Sequence, residues 1–195
     1  MPLKAEPKYY SPEDYLKLEE TAEYKSEYRD GEIIPMTGGT TNHNQIALNI
    51  ATLFKLGLKG KEYKVYIGDV RLWIPRYRQY TYPDVMVMQG EPVYTGKGTT
   101  TVTNPMLIVE VLSNSTKNYD QGDKFLYYRS ISEFKEYILI EQSEYRLLQY
   151  TKTATNRWQF TEYESENSVI SLNSLELDVS FQDLYEGVNF QLTQD

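Results

Sequence analysis

Asp84 opens the apolar run Tyr82-Pro83-Asp84-Val85-Met86-Val87-Met88, and Glu110 sits near the end of Pro105-Met106-Leu107-Ile108-Val109-Glu110-Val111-Leu112-Ser113. Both runs read as buried β-strands. A carboxylate in such a setting is costly unless something pairs with it. Two acids at neighbouring strand ends that share one cation would neutralise each other's cost. Lys124 follows in Asn118-Tyr119-Asp120-Gln121-Gly122-Asp123-Lys124, on a predicted helix. Two carboxylates and a lysine are the minimal set for metal-assisted cleavage of a phosphodiester. Spacing leaves a second reading open. Acids at strand ends are common, and Asp120 and Lys124, at i and i+4, form a pair worth about 0.3–0.5 kcal/mol with no function required.

The elements that must position these residues follow from pattern. Ser11-Pro12-Glu13-Asp14 is a helix start, with serine as cap, proline in the first turn and acids behind it. Residues 1–10 carry no pattern and are expected to be loose or draped. Glu27–Met36 reads as a hairpin turned at Asp30-Gly31, the pair that suits a type I′ turn. A helix is predicted from about Asn42 to Lys59 on Ile46, Ile50, Leu53 and Phe54, with His43 in its first turn. Tyr63–Ile74 reads as a strand whose parity changes at Gly68-Asp69, as a bulge would cause. Pro75–Tyr80 is a predicted turn, Tyr82–Met88 a strand, Gly90–Thr103 a long loop and Met106–Leu112 the central strand. Asn118 and Gln121 fit a capping box opening a helix from about Tyr119 to Ser130. Glu136–Ile140, Tyr145–Thr151 and Arg157–Tyr163 follow as strands, Ser168–Leu177 as short edge strands, and Ser180–Tyr185 as a short capped helix. The order is that of a mixed α/β (α+β) sheet protein.

At 195 residues, 40% of them apolar, the chain is expected to form one domain. No apolar run approaches the roughly 20 residues of a membrane span, and no secretory pattern follows Met1, so a cytoplasmic location is expected. Cysteine is absent and His43 is the only histidine. Any metal site is therefore mainly oxygen-liganded, which favours Mg²⁺ or Mn²⁺ over Zn²⁺. The net charge of −8 argues against a nucleic-acid partner, but its distribution changes that. Residues 162–195 hold 8 acids and no Lys or Arg, so residues 1–161 are formally neutral. Lys55–Arg78 holds 7 basic residues against Glu62 and Asp69. That stretch reads equally as a phosphate-binding face and as a solvated helix end with its hairpin. The acidic segment is expected to shield the basic face or a self-association surface.

Pro83-Asp84, Ile108–Thr116, Tyr119–Lys124 and Tyr127-Tyr128 together resemble the restriction endonuclease family often labelled Uma-two, within the PD-(D/E)XK nuclease superfamily. The resemblance continues at Glu27–Glu32, at His43 and at Glu133–Tyr137, and covers residues 11–185. It implies a restriction-endonuclease-like mixed β-sheet flanked by helices, acting on DNA with Mg²⁺ or Mn²⁺. It also implies that Asp84 ligates the metal, Glu110 shares the ion, and the carbonyl of Val111 is a further ligand. Glu27 would orient the metal water or bind a second ion. The superfamily's lysine slot after Glu110 holds Leu112, and Lys124 on the next helix takes that role, polarising the attacking water or balancing charge on the phosphate. Asp120 is a supporting or purely structural residue. His43 either contacts phosphate, supports Glu27 or simply faces solvent. Duplex cleavage by one-site nucleases often needs two subunits, so a homodimer is one expectation, although no stretch reads as an interface.

Three readings follow. The first is a metal-dependent DNA endonuclease. The second is a nuclease-fold protein that binds nucleic acid or a protein partner without cutting. The third is a structural core whose acids are satisfied by Arg71 or Lys124. Metal binding separates the third from the others, and cleavage separates the first from the second.

Overall fold

The structure is a computed structural model that describes residues 9–113 and 117–193. Residues 1–8, and Asn114, Ser115 and Thr116 of the motif, lie outside the described residues. Ser11 caps helix α1 (Pro12–Glu19) in a reciprocal box with Asp14, satisfying two of the backbone donors that a helix start leaves open. Tyr10 lies along the hairpin, its N–H donating to the Gly31 carbonyl at 2.9 Å. That hairpin is β1 (Ser26–Arg29) and β2 (Glu32–Pro35). Asp30 (φ 40°) and Gly31 (φ 107°) both take positive φ, as a type I′ turn demands. Helix α2 (Thr41–Gly57) is capped by the Thr40 hydroxyl, which accepts from the His43 N–H, and buries Ile46, Ile50, Ala51 and Phe54.

Two sheets carry the rest. The larger has six strands in the order β11-β10-β9-β8-β6-β3, drawn from β3 (Tyr63–Ile67), β6 (Val85–Gln89), β8 (Leu107–Leu112), β9 (Glu136–Glu141), β10 (Leu147–Ala154) and β11 (Arg157–Tyr163). The smaller has the order β2-β1-β5-β4-β7, adding β4 (Arg71–Ile74), β5 (Gln79–Thr81) and β7 (Thr101–Val102). Strand β8 is buried along its whole length, antiparallel to β6 and parallel to β9, so the larger sheet is mixed. The period-2 alternation of β8 divides the core. Leu107, Val109 and Val111 face α2, while Ile108 and Leu112 pack with Leu72, Tyr128 and Phe134 on the other side. Glu110 shares the parity of Ile108 and Leu112.

Three sequence expectations are corrected. The Tyr63–Ile74 run is no bulged strand: β3 pairs with β6 and β4 with β5, so the chain crosses between sheets at Gly68–Val70. The Gly68 N–H donates to the Asp84 carbonyl at 3.1 Å, which ties this corner to the first acidic motif. Second, Pro75–Tyr80 holds a single 3₁₀ turn and then β5, and the Gly90–Thr103 loop holds β7. Third, the helical segment begins at Lys117, not Tyr119. Its Lys117 N–H donates to the Ser113 carbonyl at 3.0 Å, and Asn118 and Gln121 lie inside it. This segment comprises α3 (Lys117–Tyr119), a π-helical turn at Asp120–Lys124, and α4 (Phe125–Tyr128). Gly122, a poor α-helix former, falls in the π turn.

The acidic C-terminal segment is woven into the core. Strands β12 (Val169–Leu172) and β13 (Leu177–Ser180) and helix α5 (Phe181–Leu184) bury Ile170, Leu172, Val179, Phe181 and Leu184 in the cluster that α2 shares with β8 and β9. Its Glu162 pairs with Arg146 of neighbouring sequence rather than with the Lys55–Arg78 stretch. Ile170 is 1% exposed, so Ile170→Val should cost about 0.5–1.5 kcal/mol by urea unfolding. No loss of stability would mean this hairpin is not part of the cooperative core.

Candidate active site

Glu27, Asp84, Glu110, Asp120, Lys124 and His43 line one cavity of about 660 Å³. The end of β2 and the loop through Gly38 and Gly39 to Thr40 line it too, and Lys124 stands among the acids. The ammonium is 3.0 Å from Glu110 Oε1, 3.0 Å from Asp120 Oδ1 and 3.9 Å from Glu27 Oε1. Three elements meet there: β1 brings Glu27, β8 brings Glu110, and the π turn brings both Asp120 and Lys124. π turns recur at functional sites because the extra residue re-aims side chains.

Asp84 stands just before β6. The β6–β8 register, Val85 opposite Val109, carries it alongside Glu110. Its Oδ2 accepts the Val111 N–H at 2.7 Å, and its Oδ1 lies 3.0 Å from His43 Nε2. Glu110 takes its hydrogen bonds on Oε1, from Lys124 and from the Tyr128 hydroxyl at 2.6 Å. Glu27 is gripped on one oxygen by the Thr81 hydroxyl and on the other by Arg29 at 2.7 Å. The Arg29 guanidinium lies 3.6 Å over the Tyr119 ring.

Burial sets the electrostatics. It raises Glu110 above the usual carboxylate range, Lys124 pulls it back, Asp84 and Asp120 push it up again, and it settles at about 8. Burial would lower Lys124, but the carboxylates of Glu110, Glu27 and Asp120 overcome it and hold the ammonium well above its usual value. For Glu27 burial works upward, and Lys124, Thr81 and Arg29 outweigh it, so this acid stays ionised. His43 is pressed down by burial and lifted further by its hydrogen bond to Asp84 and by that residue's charge.

The sequence assigned His43 to phosphate, to Glu27 or to solvent; its ring instead meets Asp84. Arg71 does not satisfy these acids. Its guanidinium lies within 6 Å of the rings of Tyr15, Tyr80 and Tyr82, outside the cavity lining. Tyr80 is itself buried in a stack with Tyr15 and Trp73. Tyr128 went unrecognised as a partner of Glu110, although it follows Lys124 by four residues, which puts both on one helix face. Thr81 and Arg29 had no sequence signal beyond proximity to the motifs.

The donor set suits a hard divalent cation. Among the described residues four acids share the cavity with Arg29, Lys124 and His43, and negative charge is in excess once Glu110 ionises. Asp120 Oδ1 is buried and meets the Lys124 ammonium at 3.0 Å without hydrogen-bond geometry. Among the described residues no cluster of three or more acidic or histidine side chains is spaced to hold an ion by itself. The fit therefore rests on Asp84, Glu110 and a backbone carbonyl. Val111 would supply the carbonyl: in a strand the N–H and C=O of one residue point to the same side, and the Val111 N–H points at Asp84.

A family model described as Uma2, "Putative restriction endonuclease", matches residues 12–183. The chain belongs to this family. Two uncharacterized Synechocystis proteins are similar to this Uma2 chain. One is 42% identical over 164 residues, covering 84% of this chain and 93% of its own length. The other is 34% identical over 180 residues, covering 92% and 93%. A crystal structure of a putative nuclease from Anabaena variabilis, described as belonging to DUF820, superposes with a TM-score of 0.75 at 16% identity, covering 92% of this chain and 99% of that one. The fold is restriction-endonuclease-like, mixed sheets flanked by helices. Family and fold together support a nuclease. Among the described residues no helix is long and apolar enough to cross a membrane.

Proposed function

We propose that this Uma2 protein is a metal-dependent endonuclease that hydrolyses phosphodiester bonds in DNA. The observation that carries this reading is the buried ammonium of Lys124 held against Glu110 and Asp120 beside Asp84 in one cavity. A charge cluster of that kind is expensive to bury as structure alone and suited to positioned chemistry. Asp84, Glu110 and the Val111 carbonyl would hold Mg²⁺ or Mn²⁺, which when bound lowers the pKa of water and neutralises charge on a phosphate. The chain's own groups do the rest. His43 and the Val111 N–H fix the Asp84 carboxylate from two sides. Tyr128 and Lys124 fix Glu110 through one oxygen. Lys124 also donates toward the attacking water and the negative charge that grows on the phosphate. Glu27, ionised and pinned by Thr81 and Arg29, orients that water.

A binding-only role is the second reading. It is favoured by the overall acidity of the chain and by the ion-pairing of the cavity cations to its own acids. Nicking of supercoiled plasmid with Mg²⁺ or Mn²⁺, beside a Glu110→Ala control, separates the two. Metal-dependent nicking that disappears in the variant supports the endonuclease. No cleavage by the intact protein, with either metal and across DNA and RNA forms, leaves binding as the function of the fold.

A further inference from the structure

The cavity's shape and surroundings bear on which form of nucleic acid it takes. Three of its reactive groups are buried, Glu110 at 4% exposed, Asp120 at 2% and Lys124 at 8%, while Asp84 and His43 are half-buried. A recess of about 660 Å³ is of the size that encloses a small molecule. A phosphate of an intact duplex is carried on a stiff convex rod beside grooves of about 12 and 6 Å, whereas a strand free to bend carries its phosphate to buried groups more readily.

Cation placement agrees. Tight duplex binding relies on about 6–10 phosphate contacts by Lys and Arg. At the cavity Arg29 pairs with Glu27 and Lys124 with Glu110, and close by Lys117 pairs with Glu141 and Lys25 with Asp69. The basic stretch begins at Lys55, near the far end of α2, about 18 Å along the helix from His43. None of its basic side chains is among the cavity's lining residues, although Arg71 reaches the ring of Tyr82, which is, and Arg76 and Arg78 flank Tyr77.

Aromatic placement supplies what the cations do not. The Tyr119 ring lines the cavity and carries the Arg29 guanidinium on one face. It meets the edge of Tyr127 at 6.4 Å, and Tyr127 meets Tyr77 at 4.8 Å. Half-buried rings in series, with an arginine layered on the first, form the surface on which unpaired bases stack.

We infer that the substrate is engaged as unpaired nucleic acid, a single strand or a nucleotide displaced from a duplex, with its phosphate at Lys124 and its base against the Arg29–Tyr119–Tyr127 layer. This rests on the endonuclease reading. Displacing a nucleotide is easiest where it is mismatched, bulged or already single, so selection falls on DNA structure rather than on a duplex sequence.

The test compares fluorescein-labelled 20-nucleotide DNA as a single strand, as a perfect duplex and as a duplex with a three-nucleotide bulge. Binding is read by anisotropy in Ca²⁺ and cleavage in Mn²⁺, with Tyr119→Ala and Tyr119→Phe beside the wild type. The expected result is single-strand and bulge binding at least tenfold tighter than duplex binding. Tyr119→Ala should lose about tenfold on the single strand, as one stacked base is worth, while Tyr119→Phe retains it. Circular dichroism confirms that both variants fold. Duplex binding as tight as single-strand binding, or an unchanged affinity in folded Tyr119→Ala, overturns the inference and leaves the nuclease standing if cleavage persists. Selective single-strand binding without any cleavage supports the recognition mode and overturns the nuclease. No binding to any of the three overturns both.

Discussion

Lys124→Met should abolish nicking and also cost about 3–5 kcal/mol of stability, the usual penalty for removing one partner from a buried charge cluster. Among the described residues Lys124 is the only ammonium within 4 Å of Glu110, Asp120 and Glu27, at 3.0, 3.0 and 3.9 Å. Methionine keeps much of the volume and none of the charge. The stability loss should depend on pH in a defined direction, measured by urea unfolding in EDTA. Glu110 is already raised from 4.5 to about 8 in the folded protein. Its ionisation therefore opposes folding, and stability present below pH 4.5 is lost as pH rises toward and through 8. Glu27 runs the other way, because its folded value is depressed with Lys124 among the causes; its contribution is present above pH 4.5 and lost below. Removing Lys124 raises Glu110 further and weakens the depression of Glu27. The variant's deficit therefore shrinks as pH falls below 4.5, where Glu27's contribution is lost, stays level between about 4.5 and 8, and grows above 8, where only the wild-type Glu110 ionises. A deficit unchanged from below pH 4.5 to above pH 8 would mean that Lys124 is not balancing ionised acids.

Much of the frame could be read from local pattern because local rules decide it. Asp30-Gly31 dictates the turn of the first hairpin, Ser11-Pro12 the start of α1, and the apolar runs around Val87 and Val109 the two strands at the middle of the larger sheet. What local pattern missed depends on contacts between distant residues. The strand predicted over Tyr63–Ile74 divides because its two halves find partners in different sheets, and a parity change at Gly68 is equally compatible with a bulge. Likewise, the π turn at Asp120–Lys124 has no sequence mark apart from the weak helix former Gly122. Asp120 and Lys124 at i and i+4 announced only an ordinary surface pair, and it is the arrival of Glu110 and Glu27 from two strands that makes the pair buried and crowded. His43 could not be matched to Asp84, 41 residues away. Buried acids also do not declare their purpose. Glu136 is fully buried on β9, yet Gln149, Ser174 and Thr151 satisfy it with neutral donors. Glu110 differs because its company is charged.

That difference makes Glu110→Gln the sharpest separation of function from structure, and the expected result is a protein at least as stable as wild type that cleaves about 10³-fold more slowly. Glutamine preserves the shape and can still accept from Tyr128 and Lys124 through its carbonyl oxygen. It removes an ionisation unfavourable enough in this setting to lift the acid to about 8. If Glu110 serves only to hold the fold around Lys124, the substitution leaves that ammonium with fewer anions, stability falls, and any loss of cleavage follows unfolding. If Glu110 serves the reaction, its strand pays in stability for a charge that chemistry needs, and the two readouts move apart. Denaturation in EDTA and plasmid nicking in Mn²⁺ on the same preparation decide between them: lower stability with cleavage unchanged would make Glu110 a structural residue and remove it from the active site.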